Sequence, residues 1–193
     1  KKKKEISKNT KKQDAVRRCL KGYDCKFIAK EKLKHIVSKE AFNIDGLGKK
    51  VIDQFWDLNL VKEPSDIFQL NYDKIEKLEG WGELSIANLK KAIINSKNIT
   101  LDKFIYSIGI RHIGQENAKI LAGFFGNIKE FIKLFASDTR KKILINLEEL
   151  DGIGETQIQS IHNFFINKTN VRITVELKDL LNIKNFELKN TDG

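Results

Sequence analysis

The sequence holds one proline, no methionine, two tryptophans and two cysteines among 193 residues. One Pro with 12 Gly excludes collagen-like and Pro-rich architectures. No run approaches about 18 consecutive apolar residues, so no membrane-spanning helix is expected. No apolar stretch near the N-terminus suggests a secretory signal. Two cysteines cannot build a disulfide framework, and their scarcity fits a reducing, cytoplasmic setting. The lack of Met in a chain that opens on Lys1 reads as a piece of a longer protein. What is present is a 40% hydrophobic content, enough for a core and too much for wholesale disorder. The length suits one or two compact domains.

The formal net charge of +10 invites a nucleic-acid reading. Its distribution narrows that reading. Residues 1–40 carry 15 Lys and Arg against 5 Asp and Glu, whereas residues 41–193 carry 21 of each. The basicity belongs to one end, and Lys1 to Lys4, Lys8, Lys11 and Lys12 read as a solvated tail. If the remaining chain binds a polyanion, something more local than bulk charge must do it.

The patterning predicts an all-α protein in four stretches. Residues 1–16 are a basic disordered tail, and 17–40 hold a small knuckle around Cys19 and Cys25 with a connecting helix. Residues 41–181 form the main helical domain, and 182–193 a linker. Ile28, Lys32, His35 and Ile36 can share one face of a short helix. Leu101, Phe104, Ile105 and Ile108 follow i, i+3, i+4, i+7 behind Thr100, an expected N-cap. Ile128, Phe131, Ile132 and Phe135 repeat that spacing, and Ser137 and Asp138 suggest another cap. Val171, Ile173, Val175 and Leu177 alternate like a strand, but Leu177, Leu180 and Leu181 suit a helix better.

An internal repeat dominates the sequence. Gly46-Leu47-Gly48, Gly80-Trp81-Gly82 and Gly152-Ile153-Gly154 share one form, and His112-Ile113-Gly114 has it with His in place of the first Gly. Their starts lie 34, 32 and 40 residues apart. Four positions before the second Gly stand Ile44, Leu78, Ile110 and Leu150. Four after it stand Ile52, Ile86, Ala118 and Ile158, and seven after it Phe55, Leu89, Leu121 and Ile161. All twelve are apolar. The +4 and +7 residues fall on one face of a helix that begins just after the second Gly. The residue at −4 is expected to end the preceding helix, and the central apolar residue to plug the gap. The glycines allow positive φ and close approach to the backbone. The following helix starts with unsatisfied N–H groups and a positive dipole end, which accept a phosphate without any charged side chain. An electroneutral chain can hold a polyanion this way, with no reading of base sequence. Four plain helical corners would have little need of Gly at both turn positions.

This register resembles the helix-hairpin-helix DNA-binding motif. Four tandem units behind a cysteine knuckle are similar to the C-terminal half of the bacterial NAD-dependent DNA ligases. The resemblance covers roughly residues 17–181. It rests on Leu33 to Ser38 leading to Asn43-Ile44-Asp45-Gly46-Leu47-Gly48, and on Ile108-Gly109-Ile110-Arg111-His112-Ile113-Gly114. It implies a part that grips the minor-groove side of double-stranded, nicked DNA as a monomer, beside an adenylation domain that uses NAD and lies elsewhere. It also implies a four-cysteine zinc finger, of which Cys19 and Cys25 would be the second pair. Two thiolates do not fill tetrahedral zinc, so zinc requires the two upstream cysteines. Asn43-Ile44-Asp45-Gly46 lacks the lysine of the family's Lys-x-Asp-Gly adenylation motif, so no catalytic residue is assigned and the chain should not seal DNA alone.

The DNA-binding candidates are Gly46, Leu47, Gly48, Lys49 and Lys50 in the first hairpin, and Gly80 and Gly82 in the second. The third contributes Arg111, His112, Gly114 and Gln115, and the fourth Gly152 and Gly154. Glu83 and Glu155 follow hairpins 2 and 4, where they repel phosphate, so hairpins 1 and 3 rank higher. A bulky residue at Gly46 or Gly114 is expected to weaken DNA binding more than one at Gly152. Three alternatives stay open. A junction or nuclease accessory module would carry the same hairpins. A DNA glycosylase would want one hairpin with a carboxylate and lysine in a base-sized pocket. No such pair is evident, and Asp138, at a plausible distance after the third hairpin, reads as an N-cap. A protein-interaction module would show an exposed apolar stripe, with Trp56 and Trp81 the best candidates.

Overall fold

The structure is a computed structural model that describes residues 25–188. The basic tail, the knuckle residues 17–24 with Cys19, and the last five residues lie outside the described part. The expectation of an all-α fold holds, apart from one very short pair of strands. In chain order, α1 spans Lys26–Val37, α2 Lys49–Asp57, α3 Pro64–Ile67, α4 Tyr72–Glu76 and α5 Glu83–Ser96. Strand β1 (Asn98–Thr100) leads into α6 (Leu101–Ser107), followed by α7 (Gln115–Phe125) and α8 (Ile128–Phe131). A 3-10 turn at Ile132–Phe135 precedes α9 (Ser137–Leu147), α10 (Glu155–Ile166), α11 (Lys168–Asp179) and β2 (Asn182–Lys184).

Each long helix buries one stripe. Helix α7 buries Ala118, Leu121, Ala122 and Phe125, spaced i, i+3, i+4 and i+7. Helix α5 buries Ile86, Leu89 and Ile93, and α1 buries Ala29, Leu33, Ile36 and Val37. These stripes join one hydrophobic cluster. Around Phe131 the cluster is a run of phenylalanines. Phe104, Phe125 and Phe165 meet that ring edge-on, with centroids 6.4, 5.4 and 5.7 Å away. The buried Arg140 closes this half. Its Nη1 donates to the carbonyls of Leu134 (3.0 Å), Phe135 (3.3 Å) and Phe165 (3.4 Å), oxygens left open where the 3-10 turn and α10 end.

Several local expectations change. Ala136, not Ser137 or Asp138, is the N-cap of α9, with no side-chain cap bond. Thr100 does stand at the N-cap of α6, but its hydroxyl makes no cap bond. Asn127 and Asn167 are true side-chain caps, accepting from the N–H of Glu130 at 3.0 Å and of Asn170 at 3.1 Å. The alternating run from Val171 is helical, as α11. The linker assigned to 182–193 begins too early. Asn182–Lys184 pairs in parallel with Asn98–Thr100, and the Phe186 N–H donates to the Gly126 carbonyl at 2.9 Å. Three residues are too few for an alternation to be read. The boundary at residue 41 also moves, because α1 packs against α2 as the opening helix of hairpin 1. Lys30 and Lys34 hold Asp53 of α2 at 2.8 and 3.1 Å, and keep its carboxyl below the usual carboxylate range.

Candidate nucleic-acid interface

Four helix pairs carry the repeat: α1 and α2, α4 and α5, α6 and α7, α9 and α10. Their turns share two backbone bonds. The N–H of the central residue donates to the carbonyl three back: Leu47 to Ile44, Trp81 to Leu78, Ile113 to Ile110 and Ile153 to Leu150, at 3.1–3.3 Å. The carbonyl of the second Gly then accepts the first bond of the following helix, from Ile52, Ile86, Ala118 and Ile158, at 2.9–3.1 Å. The residue at −4 was expected to end the preceding helix, and it does not. The helices stop at Val37, Glu76, Ser107 and Leu147, and the −4 residue follows in the turn. The central side chain does plug the gap: Leu47, Ile113 and Ile153 are buried, and Trp81 is half-buried against Phe55, with ring centroids 5.7 Å apart.

The two glycines of each turn have different jobs. Within each three-residue tip, positive φ is confined to the first position: 91° at Gly46, 84° at Gly80, 88° at Gly152 and 64° at His112. Asn43 (50°) and Gly109 (72°), five residues before the second Gly in hairpins 1 and 3, have it too. The second Gly is an extended N-cap, with φ of −78° at Gly48, −103° at Gly82, −83° at Gly114 and −101° at Gly154. Any residue adopts that backbone, and a methyl group at Gly48, Gly82 or Gly114 would meet nothing within 4 Å. At Gly152 a methyl would come within 2.6 Å of Ile120 Cδ1 on α7, whereas at Gly46 it would sit 3.6 Å from Leu89 Cδ1 on α5. The tips of hairpins 1 and 4 thus pack on the helices of hairpins 2 and 3. The expected contrast between Gly46 and Gly152 must accordingly move to the N-cap glycines, because a Gly152 variant disturbs packing first.

Hairpins 2 and 4 close their own N-cap amides, a feature the sequence reading missed. The Gly82 N–H donates to Ser85 Oγ at 3.0 Å, and the Gly154 N–H to Gln157 Oε1 at 2.9 Å. Both acceptors stand three residues after the second Gly, the N3 position from which a side chain reaches back to the N-cap. In hairpin 1 that position is Val51, which has no acceptor. In hairpin 3 it is Asn117, whose Nδ2 donates instead to the His112 carbonyl at 3.0 Å. The Gly48 and Gly114 amides therefore stay uncapped by their own turns.

Charge divides the hairpins the same way. From three residues before the second Gly to two after it, Asp45 against Lys49 and Lys50 leaves +1 in hairpin 1. Arg111 against Glu116 leaves zero in hairpin 3, where Lys119 also pairs with Glu116 at 3.3 Å. Glu79 and Glu83 give −2 in hairpin 2, as do Asp151 and Glu155 in hairpin 4. Lys49, Lys50, Arg111, His112 and Gln115 are all exposed at their tips.

Other candidates separate from the interface. His35 faces hairpin 3, and its Nε2 stands 2.8 Å from the Tyr106 carbonyl, a packing role. Asp138 is exposed in the first turn of α9. Trp56 is buried. Of the large exposed apolar side chains, Phe27 lies on α1, Leu84 and Ile94 on α5, and Ile145 on α9. Cys25 stands at the N-cap of α1. Among the described residues no group of three or more His, Cys, Asp or Glu side chains could hold a metal ion. No described helix is long and apolar enough to cross a membrane.

Four helix–turn–helix units with one turn geometry define a tandem helix-hairpin-helix protein, and residues 103–174 match the helix-hairpin-helix motif family. The relatives are more particular. The chain is 54% identical to the DNA ligase of Pelagibacter ubique (strain HTCC1062), over 98% of this chain and 28% of that protein. It is 38% identical to the DNA ligase of Rickettsia bellii (strain OSU 85-389) and 39% to that of Rickettsia prowazekii (strain Madrid E), each over 91% of this chain and 27% of the other. The chain belongs to the DNA ligase family, and spans a little over a quarter of the length of these relatives.

Proposed function

We propose that this chain is the part of a DNA ligase that grips double-stranded DNA, and that hairpins 1 and 3 hold the phosphates. The observation that carries this reading is the coincidence of two independent features at the same two turns. Only there is the N-cap amide left uncapped by its own turn, and only there is the tip free of net negative charge. The amides of the first helical turn have no intrahelical partner in any helix. At α2 and α7 they are joined by the Gly48 and Gly114 amides and by the positive end of the helix dipole. Lys49 and Lys50 add charge beside the first site. Contacts of this kind position a protein on the backbone and read no sequence.

In this reading hairpins 2 and 4, with capped amides and acidic tips, are scaffold that aims hairpins 1 and 3. The target is nicked duplex, the chain acts as one copy, and it works in the cytoplasm. The chemistry of sealing, including use of NAD, belongs to other parts of the enzyme, so this chain positions DNA and transfers nothing.

The test is fluorescence anisotropy of labelled duplexes, nicked and intact, across a salt series. It compares the natural chain with one in which the seven lysines of residues 1–16 are replaced by Gln. Retained binding with a shallow salt slope, indifferent to base sequence, supports the hairpin grip, because few neutralised phosphates release few counterions. If binding vanishes with the lysines, the tail is the polyanion site and a protein-interaction role moves forward.

A further inference from the structure

Hairpin 3 departs from the other three at its tip. Where Asp45-Gly46, Glu79-Gly80 and Asp151-Gly152 place an acidic residue before a glycine, hairpin 3 has Arg111-His112. His112 takes the backbone conformation its three counterparts reserve for glycine, at φ 64°. A β-carbon is disfavoured there, although His tolerates it better than a branched residue does. The side chain gives the fold nothing visible in return: it is exposed and makes no hydrogen bond or ring contact among the described residues.

The backbone is instead held from outside. Asn117, one turn into α7, donates its Nδ2 to the His112 carbonyl at 3.0 Å. Its counterparts do something else, since Ser85 and Gln157 cap their glycine amides and Val51 has no polar group. One side chain thus has two effects. By turning to His112 it fixes the tip, and by turning away from Gly114 it leaves that amide uncapped.

We propose that Asn117 is a positioning residue that holds His112 in the left-handed conformation, so that the imidazole, beside Arg111, donates to a phosphodiester oxygen next to the one taken by the Gly114 amide. Hairpin 3 then grips DNA by side chain as well as by backbone. The proposal rests on the DNA-gripping reading above and assigns that reading's specific contact at this tip.

A double-mutant cycle of His112→Gly and Asn117→Ala tests it, read by anisotropy on an intact duplex and by thermal unfolding. His112→Gly should weaken binding about 3- to 10-fold, as for loss of a hydrogen bond to a charged group at an exposed site. The same change should leave the melting temperature unchanged or raise it by about 2 °C, because glycine relieves the backbone. Asn117→Ala should weaken binding by a similar factor with His112 present and do almost nothing in the His112→Gly background. Natural affinity in His112→Gly, or an equal loss from Asn117→Ala on both backgrounds, overturns the proposal. So does a lower melting temperature in His112→Gly, which would make the imidazole a packing group. Gly114→Leu, whose β-carbon would meet nothing within 4 Å, separates the two claims. If it weakens binding while His112→Gly does not, the backbone grip stands and the side-chain contact falls. If neither changes binding, hairpin 3 does not touch DNA.

Discussion

Hairpins 1 and 3 share two backbone bonds with hairpins 2 and 4, the one under the central residue and the one that opens the second helix. They differ in the N3 side chain and in the sign of the charge around the tip. In hairpin 2 a serine hydroxyl, and in hairpin 4 a glutamine carbonyl, takes the amide that would otherwise face outward. The comparison teaches that the repeated glycines specify the turn alone. Whether the N-cap amide is capped is decided three residues further on, by Ser85 and Gln157 in hairpins 2 and 4.

Four variants break or sharpen that comparison, from largest effect to smallest. Gly152→Leu forces a side chain onto φ 88° and into Ile120. It should cost about 3 kcal/mol by denaturant unfolding, combining backbone strain with overpacking. Hairpin 4 would then prove structural whatever happens to DNA binding. Arg140→Met removes the donors that hold the Leu134, Phe135 and Phe165 carbonyls, and should cost about 2–3 kcal/mol. If hairpin 4 is scaffold, the folded fraction keeps its affinity for DNA. Glu83→Gln with Ser85→Ala uncaps hairpin 2 and removes a charge at its tip, so duplex affinity should rise about 2- to 3-fold. A fall instead would make Glu83 or Ser85 a contact.

The smallest effect lies at the tie between α11 and the start of α3. Arg172 reaches Glu63 at 2.8 Å, and this pairing holds the Glu63 carboxyl below its ordinary range. A depressed carboxyl stabilises the fold above the ordinary carboxylate pKa, and that contribution disappears as pH falls. Both side chains are partly solvated, so Glu63→Gln should cost a few tenths of a kcal/mol near neutrality. The difference should shrink as pH falls below the ordinary carboxylate range, measured by urea unfolding at neutral and at acid pH.

Much of this was legible in the sequence. The eight apolar residues four and seven positions after the second glycines marked the second helix of each unit and the stripe it turns to the core. The split between hairpins 1 and 3 and hairpins 2 and 4 was half visible, through Glu83 and Glu155. The other half was not, because Ser85, Asn117 and Gln157 are all ordinary polar residues in sequence. Which group each side chain bonds depends on where the turn points the N-cap amide. The strand pairing of Asn98–Thr100 with Asn182–Lys184 was invisible for a different reason. Its partners lie 84 residues apart and meet only because the helices between them fold back. The boundary at residue 41 failed because charge marks the tail clearly, while α1, also lysine-rich, packs its apolar stripe into the core.

The most direct test compares the N-cap glycines, where a methyl group meets open space in three of the four hairpins. Gly48→Leu, Gly114→Leu and Gly82→Leu should each leave the melting temperature within about 2 °C of the natural chain. Their affinities for a labelled duplex, measured by anisotropy at one salt concentration, should then separate. The account predicts a loss of about 10-fold or more for Gly48→Leu and for Gly114→Leu, and less than about 2-fold for Gly82→Leu. Equal losses in all three, or a larger loss at Gly82, would contradict it.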